Sequence, residues 1–277
     1  MAQLVTIPTD SSAHWYDVGG RPMHTVESKS KPGQMRPTTL RDARKLILSP
    51  STTRVLGDII RKPQLENWKI VQAILSALTL PRNEGESDDA FAQRAVKDSQ
   101  EESHTARDLG TDVHHAIANW LVNPQVRTPE YLLPFLAAFR MWHDEHVDAV
   151  LAVEKQFCRY GYGGTVDLVA FVDGQGAVID LKTQNGKPDR PLKAWDGWGE
   201  QLAAYARGLG YPTARLLNVI LDKNQPGRLE VVEHTENKDT LTETFDAALT
   251  IWCNRKGYDS RAAWERATAN PKENNND

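Results

Sequence analysis

Apolar positions along the chain change their spacing about halfway. Toward the N-terminal side they recur every three or four residues, as on amphipathic helices; from about residue 149 they form short Val-, Ile- and Leu-rich runs, as in strands. Leu40, Ala43 and Ile47 predict a helix with Thr38 or Thr39 as its N-cap, and SPSTTRVLGDII predicts another capped by Ser51 or Thr52. Residues 65–80, LENWKIVQAILSALTL, read as a strongly apolar helix stopped by Pro81. Residues 82–106 are charged and poor in large apolar groups, which predicts a solvated helix or a mobile segment. A helix is expected from about Ser103 to the Asn123-Pro124 stop, and another over 129–147 carrying Phe135, Phe139, Trp142 and His143. Strands are expected at 149–160, 163–172, 176–184, 214–222 and 228–234, with DGQG as a hairpin loop between the second and third. A helix over 200–211, closed by Gly208 or Gly210, separates the third strand from the fourth, and a last amphipathic helix covers 238–254.

The layout is an α/β chain: a central mixed sheet flanked by helices, with an N-terminal helical subdomain and a right-handed crossover through the helix after strand three. The expected divisions are an extended arm over 1–35, a helical subdomain or arch over 36–102, a core over 103–255 and a C-terminal tail over 256–277. A chain of 277 residues suffices for one sizeable core with a small appendage.

Composition narrows the classes. Apolar residues make up 40% and charged residues 25%, as in soluble globular proteins. No apolar run has the length of a membrane span, and the N-terminus lacks the basic and apolar regions of a signal peptide. The expectation is a cytoplasmic protein without membrane partners. Two cysteines, Cys158 and Cys253, exclude a disulfide scaffold and a four-cysteine cluster. The formal net charge is −4, so any nucleic-acid affinity must come from local basic groups.

The candidate chemistry lies where charge interrupts apolar strands. Asp180 and Lys182 in AVIDLKTQ share one strand face, since side chains alternate. Asp167 in GGTVDLVAFV lies on the hairpin partner strand, and Glu154 in AVLAVEKQF on the strand before it. Buried carboxylates are costly unless paired or bound to metal. Three acids with one lysine predict an oxygen-rich site for Mg²⁺ or Mn²⁺ and the hydrolysis of a phosphodiester. His114 shares a helix face with Gly110, Ile117 and Leu121 and can add an imidazole. Gln201 and Tyr205, four apart on a helix, would face the sheet and hold a phosphate or a water. The loop after strand three carries Lys187, Arg190, Lys193, Trp195 and Trp198, a mixture suited to phosphate contact and base stacking. A second basic stretch, Lys29, Lys31, Arg36, Arg41, Arg44 and Lys45, could track a backbone or belong to a solvated arm. Each residue also has a plainer reading: His114 as a core histidine bonded to backbone, Glu154 as a surface ion pair with Lys155 or Arg159, and the tryptophan loop as a surface anchor.

Gly110…His114, Glu154, Gly164-Thr165-Val166-Asp167, Asp180-Leu181-Lys182 and Gln201…Tyr205 together resemble the PD-(D/E)XK nuclease superfamily, in its RecB-type exonuclease branch. That branch is similar to the mitochondrial genome maintenance exonuclease and the CRISPR-adaptation nucleases, and the stretch from Pro37 to Ile59 resembles its phage-encoded members. The resemblance covers about residues 103–222. It implies a restriction-endonuclease-like core. It also implies that His114, Asp167, Asp180 and the Leu181 backbone carbonyl bind the metal, that Lys182 is the catalytic lysine, and that Glu154 supports the site. Gln201 and Tyr205 would face substrate. Some relatives carry a four-cysteine iron–sulfur cluster, which this chain lacks the cysteines to build.

The resulting expectation is a Mg²⁺- or Mn²⁺-dependent DNA exonuclease acting on single strands or ends, in a bacterial or phage-infected cell, with recombination or replication proteins as partners. The charged 82–106 segment and the helices before it would arch over the site and admit unpaired strand. The alternatives are a structure-selective nickase or resolvase on the same core, and a DNA-binding protein that keeps the fold without turnover.

Overall fold

The computed structural model describes residues 14–61 and 63–269; the first 13 residues of the expected arm and the polar tail from 270 lie outside the described residues. Within the segment expected as an arm, β1 (Trp15–Tyr16) pairs with β4 (Ser49–Pro50), while β2 (Thr25–Glu27) pairs with β3 (Met35–Pro37). Trp15 anchors the segment. Its side chain is fully buried, its indole N–H donates to the Thr38 carbonyl at 3.1 Å, and it meets Trp252 edge-on. α1 (Leu40–Leu46) starts from a Thr39–Asp42 capping box, and α2 (Thr52–Ile59) from Ser51, so both N-caps were among those read from sequence.

α3 (Pro63–Thr79) and the start of α4 (Asp88–Val122) form a helical hairpin. The charged segment is helix from Asp88 on, continuous with the helix expected from Ser103, so the boundary expected at 102/103 falls inside one element. The reason lies in its cap and ion pairs. Ser87 caps the helix, Asp88 and Asp89 occupy its positive end, and Arg94 pairs with Glu86. α5 (Leu133–His146) follows a short 3₁₀ turn and leads directly into the sheet.

The sheet has the order β5 (Val147–Arg159), β6 (Tyr162–Val172), β7 (Gln175–Gln184), β8 (Arg215–Asp222), β9 (Leu229–Glu233). β7 and β8 are parallel and the other neighbours antiparallel, which is the expected mixed sheet. Asp173 and Gly174, at φ 50° and 77°, make the left-handed turn of the β6–β7 hairpin. α6 (Trp198–Leu209) forms the β7-to-β8 crossover and ends on Gly210 at φ 81°. α7 (Lys238–Lys256) packs beside α6 and α2. The span expected as a tail carries α8 (Ser260–Ala269).

Two cores sandwich the sheet. Val169, Val178 and Leu216 lie with Leu202, Phe245 and Trp252 on the α6–α7 side. Leu168, Ala170, Ile179 and Leu217 lie with Ile117, Leu136 and Phe139 on the α4–α5 side. Among the described residues no helix is long and apolar enough to cross a membrane.

Candidate active site

Strand register builds the site. Val153 pairs with Leu168 and Lys155 with Val166, which sets Glu154 opposite Asp167. Leu168 pairs with Ile179 at the end of the β6–β7 ladder, which sets Asp167 beside Asp180. Asp180 pairs with Asn218. One row of polar side chains therefore crosses four strands, and directly opposite residues share a face. Where the ladder ends, the freed N–H of Leu181 donates to Asp167 Oδ2 at 2.6 Å. Glu154 has a backbone φ of 51°, a conformation costly for a residue with a side chain.

α6 lies over this row. Gln201 Nε2 donates to Asp180 Oδ1 at 2.8 Å and stands 2.9 Å from Tyr205 Oη. Lys182 Nζ sits 2.6 Å from Asp180 Oδ2 and 3.3 Å from Gln201 Oε1, above the Trp198 ring. Asn218 Nδ2 also donates to Asp180 Oδ2, at 2.9 Å. Gln201 and Tyr205, expected to face substrate, are 7% and 4% exposed; Gln201 bonds the acid, and Tyr205 bonds Gln201 and lines the cleft.

Glycines set these approaches. A Cβ on Gly110 would lie 2.9 Å from Thr183 Oγ1, so α4 comes close to β7. One turn on, the His114 ring reaches the Leu181 carbonyl, and its Nδ1 stands 3.7 Å from Asp167 Oδ2. A Cβ on Gly164 would lie 2.7 Å from the Tyr205 ring, and one on Gly163 equally close to the Tyr16 ring.

Burial controls the charges. It pushes the Glu154 carboxyl up to about 8, reinforced by Asp167 and Asp180. It raises Asp167 and Asp180 to about 6 against the pull of Lys182. Burial, then Lys182, lowers His114 to about 4, which leaves a neutral imidazole able to ligate. Among the described residues no three His, Cys, Asp or Glu side chains stand as a ready-made metal cage. The donor types nevertheless suit a hard divalent cation. Two carboxylates and a neutral imidazole, with the Leu181 carbonyl beside them, stand where burial makes the carboxylates ionise reluctantly and a cation would favour their charged form.

A cleft of about 270 Å³ opens from His114, Glu154, Asp167 and Tyr205 toward Tyr16, His24 and Ser51. Its far wall belongs to the N-terminal segment, with Tyr16 Oη 3.0 Å from Thr165 Oγ1. Sequence reasoning gave this wall no role. It also passed over Asn218, although a lone polar residue in LLNVIL is the same kind of signal as Asp180 in AVIDL. In the basic loop Lys187, Arg190 and Lys193 are exposed, while Trp195 stacks on Trp198 with centroids 5.5 Å apart. Buried Asp222 ties the loop down by accepting from Gly186 N at 2.9 Å, and Arg228 donates to the Lys187 and Arg190 carbonyls.

A family model described as the PD-(D/E)XK nuclease superfamily matches residues 69–270. No curated protein matches the sequence. Solved structures similar to this chain include that of SSO0001, at 12% identity and a TM-score of 0.25, over 66% of this chain and 86% of that one.

Proposed function

The chain belongs to the PD-(D/E)XK nuclease superfamily, and we propose that it works as a divalent-cation-dependent deoxyribonuclease, an exonuclease on single strands or strand ends. The observation that carries this is the row Glu154–Asp167–Asp180, with Lys182 bonded to its end and the cleft opening beside it. His114, Asp167, Asp180 and the Leu181 carbonyl would hold Mg²⁺ or Mn²⁺. The bound cation would supply Lewis acidity toward a phosphoryl oxygen and acidify a water.

The protein's own part is positioning and charge. Lys182 turns from Asp180 to steady the attacking water or the developing phosphoryl charge. Gln201 holds Asp180 meanwhile, and Glu154, which keeps its proton up to about pH 8 in the absence of cation, would release it as the cation binds and so strengthen that binding. The Tyr16–Tyr205 side of the cleft borders the strand, and the Trp195–Trp198 stack with Lys187, Arg190 and Lys193 offers a base platform and phosphate contacts further along. Trp195 is the outer, partly exposed ring of that stack, which favours stacking by an unpaired base. The α3–α4 hairpin is read as an arch that admits unpaired strand.

The test is Lys182→Ala with end-labelled single-stranded, blunt duplex and circular single-stranded DNA, in EDTA, Mg²⁺ and Mn²⁺. Cleavage should fall about 100–1,000-fold while DNA binding persists. Ordinary turnover by the variant would refute the role of Lys182. The intact protein should spare circles, and cutting of circles would make it an endonuclease.

A further inference from the structure

The polar row continues one strand past Asp180, to Asn218, which is 0% exposed. Asn218 Nδ2 donates to Asp180 Oδ2 at 2.9 Å and to the Asp180 carbonyl at 3.3 Å. Both partners accept, so the amide nitrogen must face Asp180 and the amide oxygen must face away. That oxygen lies 2.9 Å from His234 Nε2. An amide oxygen has no proton to give, so His234 Nε2 must carry one. His234 is itself held from three sides. Its backbone N–H donates to the Leu216 carbonyl at 2.9 Å, its backbone carbonyl accepts from Asn237 N, and its ring lies against α6, where a Cβ on Gly199 would meet Nδ1 at 3.1 Å. A one-way chain of donors thus runs from His234 through Asn218 to Asp180.

We propose that Asn218 and His234 are positioning residues for the acidic centre: His234 locks the Asn218 amide, and Asn218 locks the Asp180 carboxylate for cation binding. The inference rests on the reading of Asp180 as a cation-binding acid. Asp180 Oδ2 takes two donors, Lys182 and Asn218, while Oδ1 takes Gln201. When Lys182 leaves to serve the reaction, Asn218 keeps Oδ2 bonded, so no bare buried oxygen results. It also holds the carboxylate plane, whose terminal torsion is otherwise broad. Outer-shell partners of this kind tune metal sites by about 10–100-fold.

The test uses the full chain without DNA. Mn²⁺ uptake is followed by the loss of the free-ion paramagnetic resonance signal, in the wild type and in Asn218→Leu, His234→Ala and His234→Gln. Two-bond ¹H–¹⁵N spectra of the wild type report which His234 nitrogen is protonated. Asn218→Leu, close in volume, should weaken Mn²⁺ binding about 10–100-fold. His234→Ala should weaken it less, and His234→Gln, whose side-chain N–H can replace the imidazole donor, should recover much of the loss. The spectra should show a protonated Nε2. A bare Nε2, an unchanged affinity in folded Asn218→Leu, or equal effects of the two His234 variants would each overturn the proposal. Should a variant fail to fold, the wild-type spectrum still decides. If the wild type takes up no Mn²⁺, the metal-dependent reading fails, and the Nε2 result separately decides whether the donor chain exists.

Discussion

Glu154 combines a left-handed backbone at φ 51° with a carboxyl raised to about 8. Its ordinary pKa is near 4, so between those values the folded state holds a proton that the unfolded chain has released. Stability is therefore full below the ordinary pKa and falls as pH rises toward the folded value. Asp167 and Asp180, raised to about 6, act in the same direction lower down. His114 and His24, both lowered to about 4, oppose them up to the ordinary histidine range, because the unfolded chain then binds the extra proton. His115 and His234, also lowered by burial, add to this opposition, which fades about one pH unit above the ordinary histidine value and leaves Glu154 dominant. In EDTA, urea-melt stability should fall by about 1 kcal/mol between about pH 7 and 8.5. Glu154→Gln should flatten that slope, and Mn²⁺ should reverse it in the wild type. A flat wild-type profile would contradict the burial assigned to this acid. At this scale Asp167, Asp180 and Lys182 were legible because a charge inside an apolar strand demands a partner. Asn218 makes the same demand, but an amide carries no charge and belongs to no motif, so it went unread. Glu154's backbone strain leaves no trace in the residue type.

Among the elements, α6 matters most to the site because it supplies both Gln201 and Tyr205. Its seating depends on Gly208, where a Cβ would fall 2.1 Å from the Phe157 ring, and on Gly164, whose Cβ would strike Tyr205. Gly208→Ala should therefore lift α6 from β5 and cost about 1–3 kcal/mol by overpacking. Mn²⁺ affinity should drop with stability, since Gln201 then loses its purchase on Asp180. Urea denaturation and Mn²⁺ titration check this, and an unchanged melt would mean that α6 sits further from β5 than described. The five strands, the β6–β7 turn and the crossover helix were all legible, because short Val-, Ile- and Leu-rich runs, Asp-Gly and a closing glycine each state their geometry locally. α8 was not, because its buried positions are Ser260, Ala263 and Ala267, too small to register as an apolar stripe. The continuity of α4 was hidden for a related reason, since capping and ion pairs rather than apolar spacing carry its first turns.

At the scale of the whole molecule, charge and shape have to be considered together. A net charge of −4 gives no general attraction for DNA, so selection of a strand end must come from geometry and from the local basic loop. Among the described residues, α3 and the first turns of α4 pack on each other more than on the sheet. α3 packs mainly on α4, and Ile70, Ile74 and Leu78 on it remain exposed. Among the described residues, α4 contributes Leu109, Val113 and Ile117 to the core. Exchanging residues 63–98 for a flexible linker should therefore leave the sheet and its acids folded, with a melting temperature within a few degrees of the full chain. If the hairpin is the arch that forces substrate to enter by an end, the shortened protein should cut circular single-stranded DNA that the full chain spares, while still degrading linear strands. A shortened protein that leaves circles intact but digests linear DNA would place the end requirement elsewhere. The N-terminal wall of the cleft at Tyr16, His24 and Ser51 is then the next place to look, because it is the other boundary of the space beside Asp167.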